Sequence, residues 1–184
     1  MNALQTISNK LKCNVTIDIS GYSPDGLSFK IYNNYMGFDT NYFKNNIPVN
    51  GQSGFTKNFT NINTATAGIV PSNNSRERYS VEWFGYFIPN ESGIWTFTMG
   101  SDDCSYLWLG NNANTNYDSS NVFISLPGQH GYYTISNTTN LIFNNIYPIR
   151  IQFGENGGGD IITLEIKSPS NIIYITNIPF YQIK

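Results

Sequence analysis

The chain has 184 residues, 40% of them apolar and 12% charged, enough to build one real core with about half the charge of an average soluble protein. The net charge of −2 comes with no basic run, which argues against a nucleic-acid partner. No apolar stretch approaches the ~20 residues needed for a membrane-inserted helix, and an aromatic content of 15% excludes a mainly disordered chain. Val, Ile, Thr and aromatic residues outweigh the usual helix formers, so the bias is toward β structure.

Leu4, Ile7 and Leu11 are spaced for a short amphipathic helix or an N-terminal arm over residues 1–12. Residues 1–20 hold no apolar core of a secretory signal. From residue 13 onward a single domain is expected. Val15, Ile17 and Ile19 alternate with polar residues as in a half-buried strand, and Ser23-Pro24-Asp25-Gly26 marks a turn before a second strand over Leu27–Tyr32. Between Asn33 and Ser80 periodicity fades into Asn, Gly, Thr and Ser with scattered phenylalanines, a stretch too long to be one structureless loop.

The second half is regular. Strands are predicted over Val81–Ile88, Ile94–Met99, Ser105–Leu109, Val122–Leu126, Tyr132–Ile135, Tyr147–Phe153, Ile162–Ile166 and near Ile172–Ile178. Trp83, Trp95 and Trp108 fall inside strand patterns and read as core. Ten or so short strands with turns between them describe an all-β fold, an antiparallel, jelly-roll-like β-sandwich with long loops.

Cys13 and Cys104 are too few for a disulfide framework or a structural zinc site; they either pair or are two buried thiols. Five Asn-X-Ser/Thr triplets, at Asn14, Asn58, Asn73, Asn90 and Asn137, are what 27 asparagines generate by chance. His130 is the single histidine and sits in a turn with no serine elbow or metal-binding histidine pair. Asp102 and Glu155 could serve as a glycosidase pair, but a carboxylate crowded by Asp103 suits a cation better, so no enzyme is expected.

Two loops carry the oxygen-rich chemistry. The first is Ser101-Asp102-Asp103-Cys104, and the second is Gly154-Glu155-Asn156-Gly157-Gly158-Gly159-Asp160. In extended trans backbone, successive side chains diverge, so two adjacent aspartates converge on one ion only through an unusual backbone such as a cis peptide. Oxygen-only donors favour calcium. The facing loop offers backbone carbonyls and the Asn156 amide.

The run Trp83-Phe84-Gly85-Tyr86-Phe87-Ile88-Pro89-Asn90-Glu91-Ser92-Gly93-Ile94-Trp95-Thr96-Phe97, then Ser101-Asp102-Asp103-Cys104-Ser105-Tyr106-Leu107-Trp108-Leu109-Gly110 and Tyr147-Pro148-Ile149-Arg150-Ile151-Gln152-Phe153, resembles the PA-fourteen superfamily. That group includes the GLEYA branch and the yeast flocculin and epithelial adhesin lectins. The likeness spans about residues 81–166, although the GLEYA pentapeptide itself is absent. It implies a β-sandwich in which a cis aspartate pair holds Ca2+ and the ion binds two hydroxyls of a terminal sugar.

Carried onto this chain, the resemblance makes Asp102 and Asp103 calcium carboxylates. Glu155 or Asn156 stands where the lectins place an asparagine, and the carbonyls of about Gly157 and Gly159 complete the shell. Sugar contacts are expected from Asp102, Asp103, Asn156, Asp160 and Trp108, with Tyr117 and Asp118 as further candidates. The implied function is calcium-dependent carbohydrate binding of lectin or adhesin type, with glycans as partners, at a cell surface, outside the cell or on a virion. The competing expectation is a non-catalytic surface-lattice or virion protein that uses the same sandwich against protein neighbours without binding sugar.

Overall fold

The computed structural model describes residues 18–49, 53–56, 62–63 and 77–184. The arm over 1–12, most of the strand expected around Val15, Cys13, and the triplets at Asn14, Asn58 and Asn73 lie outside the described residues.

Alternating side chains create strands with one apolar face, and such strands gain most by closing two sheets over each other. The first sheet runs in the order β1 (Tyr22–Ser23), β13 (Phe180–Ile183), β5 (Tyr79–Phe87), β10 (Tyr147–Glu155), β7 (Cys104–Leu109) and β8 (Ile124–Leu126). In that sheet β2 (Leu27–Asn33) also pairs with β5, and β3 (Ser53–Thr56) pairs with β2. The second sheet runs β12 (Ile173–Tyr174), β11 (Ile161–Lys167), β6 (Gly93–Asp102) and β9 (Tyr133–Leu141), with β4 (Ile62–Asn63) on β11. Every pairing is antiparallel. The fold is the expected antiparallel β-sandwich.

Trp83, Phe87, Leu107, Ile151 and Phe153 of the first sheet meet Trp95, Phe97, Met99, Leu164 and Ile166 of the second in one buried core. Phe87 is its hub, with T-shaped contacts to Trp95 at 5.2 Å, Phe97 at 5.4 Å and Phe180 at 6.2 Å between ring centroids. A second cluster of Tyr32, Met36, Phe43, Cys104, Tyr106, Trp108, Ala113 and Tyr117 is built with the short helix α1 (Tyr42–Asn45) and the loop after β7. Alternate residues of β7 go to the two clusters, so its first five positions are all buried.

Several boundaries differ from the sequence reading. β6 runs through Gly100 to Asp102, so only Asp103 separates it from β7. β9 extends to Leu141 because its Ser, Asn and Thr residues pair with β6 at an exposed edge, where apolar alternation is not required. The strand expected over Ile172–Ile178 shrinks to Ile173–Tyr174, and the chain closes instead with β13. The long aperiodic region holds α1, β3 and β4.

The far edge of β5 is shared, with β2 opposite Tyr79–Phe84 and β13 opposite Tyr86 and Phe87. Gln182 fills the seam at Gly85, its Nε2 donating to the Gly26 and Phe84 carbonyls at 2.8 and 2.9 Å. A Cβ on Gly85 would lie 2.4 Å from that nitrogen and 2.8 Å from the Tyr181 carbonyl, so no side chain fits without breaking the seam.

Three chain crossings between the sheets fall at one end of the sandwich. β6 passes to β7 at Asp103, β8 passes to β9, and β10 passes to β11. The registers Gly154↔Cys104, Ile161↔Asp102, Ser101↔Tyr133 and Ser105↔Leu126 put all three side by side. Truncating the hub of this core should loosen the scaffold: Phe87→Ala is expected to lower unfolding stability by about 3–5 kcal/mol, read from urea melts.

Candidate functional site

The shared end of the sandwich brings three acidic side chains together. The Asp102–Asp103 peptide bond is cis. One carboxylate oxygen from each of Asp102, Asp103 and Glu155 lies within 4.8 Å of the other two. Asp103 is 1% exposed; its Oδ1 accepts from the His130 N–H at 3.0 Å and its Oδ2 from the Asn156 N–H at 2.9 Å. These two donors come from the two neighbouring crossings, so Asp103 ties all three together. Beneath it, the buried Ser101 and Ser105 hydroxyls share a 2.7 Å hydrogen bond across the cis pair.

Glu155 ends β10 with 0% exposure, and neither of its oxygens has a hydrogen-bond partner among the described residues. A buried polar atom with no partner is costly, and a buried carboxylate more so. Burial pushes its pKa up from 4.5 to about 8, and repulsion from Asp103 and then Asp102 adds to the rise. Asp102 is also raised, first by burial and then by Asp103.

The donor set is oxygen alone. The Cys104 thiol donates to the Gly154 carbonyl at 3.6 Å, and burial pushes its pKa up to about 12. It is a free, buried thiol and an inert member of the second cluster. Two ligands at about 2.3–2.6 Å from one calcium ion stand at most about 4.6–5.2 Å apart, and the observed carboxylate spacing meets that limit. The three side chains therefore fit a hard divalent cation of calcium's size.

The glycine loop lies close against this cluster. A Cβ on Gly159 would sit 2.8 Å from Asp102 Oδ2, and one on Gly157 would sit 2.8 Å from Glu77 Oε2. Glu77 accepts from the Gly158 N–H at 3.1 Å and so pins the loop from the entry to β5.

Not every sequence candidate reaches the centre. Asn156 contributes its backbone N–H to Asp103, while its side-chain amide donates to Gln129 Oε1 at 3.0 Å at the rim. Asp160, 8% exposed, stands at the start of β11 and has partners of its own. Trp108 is 0% exposed and donates from Nε1 to the Asp118 carbonyl at 2.9 Å, so its place as a sugar contact is corrected to a packing role. Tyr117 is buried between Lys44 and Arg150, whose charges lie 4.1 and 4.2 Å from its ring centre. Asp118 caps its own loop through Ser120.

No local sequence signal marks the third wall, the loop between β8 and β9. There His130 binds Asp103 through its backbone and packs on Tyr133 at 4.4 Å between ring centroids. Tyr132 and Tyr133 stay 49% and 39% exposed beside the cluster. The Pro127-Gly128 and Gly131 positions signal a turn, but nothing in the chain's local pattern links residue 130 to residue 103.

Residues 79–168 match the GLEYA domain family. No curated protein matches the sequence. Among solved structures, the A domain of epithelial adhesin 9 from Candida glabrata, in complex with Galb1-4GlcNAc, is 16% identical with a TM-score of 0.64, covering 91% of this chain and 93% of the other. The PA14 sugar-binding domain from an RTX adhesin is 13% identical with a TM-score of 0.60, covering 87% and 99%. An anti-sigma factor domain-containing protein is 18% identical with a TM-score of 0.64; the match covers 86% of this chain but only 48% of that one, so the chain spans about half its length. The sandwich is thus of the PA14 type, and the GLEYA match coincides with the stretch whose motifs carried the resemblance.

Because the folded-state pKa of Glu155 is raised, the folded chain without metal holds a proton that the unfolded chain releases above about 4.5. That contribution to stability is complete below about pH 4.5 and is lost as pH rises through about 8. In chelator, the melting temperature is expected to fall across that window, and Glu155→Gln should flatten the fall; differential scanning fluorimetry over a pH series reads both.

Proposed function

We propose that this chain is a calcium-dependent carbohydrate-binding domain of lectin or adhesin type, acting at a cell surface or outside the cell. The observation that carries the reading is Glu155, fully buried beside two further carboxylates with both oxygens unpartnered. Three such groups repel one another unless a cation stands among them. Asp102, Asp103 and Glu155 would hold calcium, and the carbonyls of Gly157 and Gly159, on the loop that Glu77 pins, would complete the shell. Bound calcium supplies an electrophilic centre whose remaining positions two sugar hydroxyls can take.

The protein's own groups then have distinct tasks. Asp103 locks the three crossings together through the His130 and Asn156 N–H groups. Asp102, less buried than its neighbour, faces the open side. Asn156 and Gln129 present amides at the rim, where they would meet hydroxyls beyond the first two. The sugar-complexed adhesin domain and the PA14 sugar-binding domain among the structural neighbours support the ligand class. With few contacts per sugar, single-site affinity should be modest and useful adhesion should come from several copies.

Calcium is expected to raise the melting temperature, by an amount corresponding to about 2.7 kcal/mol when the ion is at 100 times its Kd. Asp103→Asn should erase most of that rise. On a glycan array, spots should vanish with chelator; an array blank in both conditions would sink the sugar reading.

A further inference from the structure

The charge of the cluster has a consequence for which sugars it can hold. Oxygens of Asp102, Asp103 and Glu155 lie within 4.8 Å of one another. Asp103 and Glu155 are 1% and 0% exposed, so water does little to screen them. The charged groups acting most strongly on Glu155 are themselves carboxylates, namely Asp103, Asp102, Glu77 and Asp160. Glu77 and Asp160 act on it more weakly, and both stand outside the three-carboxylate cluster. One divalent ion set against the three clustered carboxylates would leave one negative charge in the cluster.

We propose that Glu155 is a specificity-determining residue that makes this site choose sugars by charge, accepting neutral and amino sugars and rejecting uronic and sialic acids. The inference rests on the cation-dependent sugar reading given above. Its physics is simple. A sugar carboxylate brought to the ion must approach a centre whose positive charge is already exceeded by its ligands. A neutral hydroxyl pair suffers no such penalty, and a protonated amine beside the hydroxyls is drawn toward the excess charge. A unit charge about 4 Å from one uncompensated charge changes affinity about fivefold even at the dielectric of water, and more where burial weakens screening. With Gln at 155 the loaded cluster would be neutral and the preference would vanish.

The test uses the full chain at saturating calcium and methyl glycosides of galactose, galactosamine and galacturonic acid, with the corresponding gluco series, in isothermal titration at low and high salt. Uronates are expected to bind at least about fivefold more weakly than their neutral parents, and amino sugars at least as tightly as the parents. Salt should narrow the gap. Glu155→Gln, studied at a calcium concentration that restores its own melting shift, should bring all three within about twofold. Uronates that bind as well as the neutral sugars, or a ranking unchanged in Glu155→Gln, would overturn the charge inference while the calcium-induced shift still stands. Absence of any calcium-induced shift in the unaltered protein would instead remove the cation reading and this inference with it. A calcium shift without binding of any of the six glycosides would refute the sugar assignment and the selectivity together.

Discussion

Three carboxyl groups with an oxygen of each within one cation's coordination reach of the others are the constraint on which the rest of this molecule turns. Left alone and ionised, Asp103 and Glu155 oppose folding, because each is removed from water beside the other and beside Asp102. The sandwich tolerates them by committing a large aromatic core to fixing its two sheets, with Trp83, Trp95, Phe87, Phe97 and Phe153 all fully buried. Burial of each such ring is worth a few kcal/mol, which is the scale needed to hold a carboxylate cluster in place. The acidic end is thus held by a frame that is stabilised elsewhere, in the aromatic core.

Position within the frame comes from register rather than from the loops themselves. A chain that leaves one sheet at Asp103 enters the other at once, because Ser101 and Ser105 each retain strand partners on either side of the cis pair. The second cluster steadies β7 and β10 from outside. Arg150 pairs with Glu82 at 2.5 Å and donates to the Ala113 carbonyl at 2.6 Å, holding the loop after β7 against the sheet. Trp108 and Tyr117 belong to that outer support. They pack on the outer side of β7, whose end carries the chain to Asp103.

Much of this was legible in the sequence. Strands β2, β5, β6, β7, β10 and β11 are legible to within a few residues because each sends apolar side chains into the main core. The Asp-Asp pair and the glycine loop were legible as an oxygen-rich pair of turns. What escaped obeys other rules. The end of β9 is polar because it lies at an exposed edge, and edge strands need no apolar alternation. Trp108 lies in a strand pattern, which is compatible with both a core and a ligand-facing place. Its strand is buried on both faces, which no local pattern reveals. His130 and Glu77 join the site only through contacts 27 and 81 residues apart in sequence.

The choice between Glu155 and Asn156 was open in the sequence, and strand geometry accounts for it. Ile149, Ile151 and Phe153 all point into the sandwich core, and a strand that keeps its alternation carries the next such side chain at 155. Because β10 stays paired as far as Glu155↔Tyr79, residue 155 is aimed inward at the end of the apolar row. The chain turns immediately afterwards, so the Asn156 side chain is carried to the rim and meets Gln129. An inward position at the end of a core row is one that Val or Ile would normally occupy. A glutamate there, sealed from water and lacking any partner, has no packing rationale, and the acidic pair across the gap supplies the chemical one.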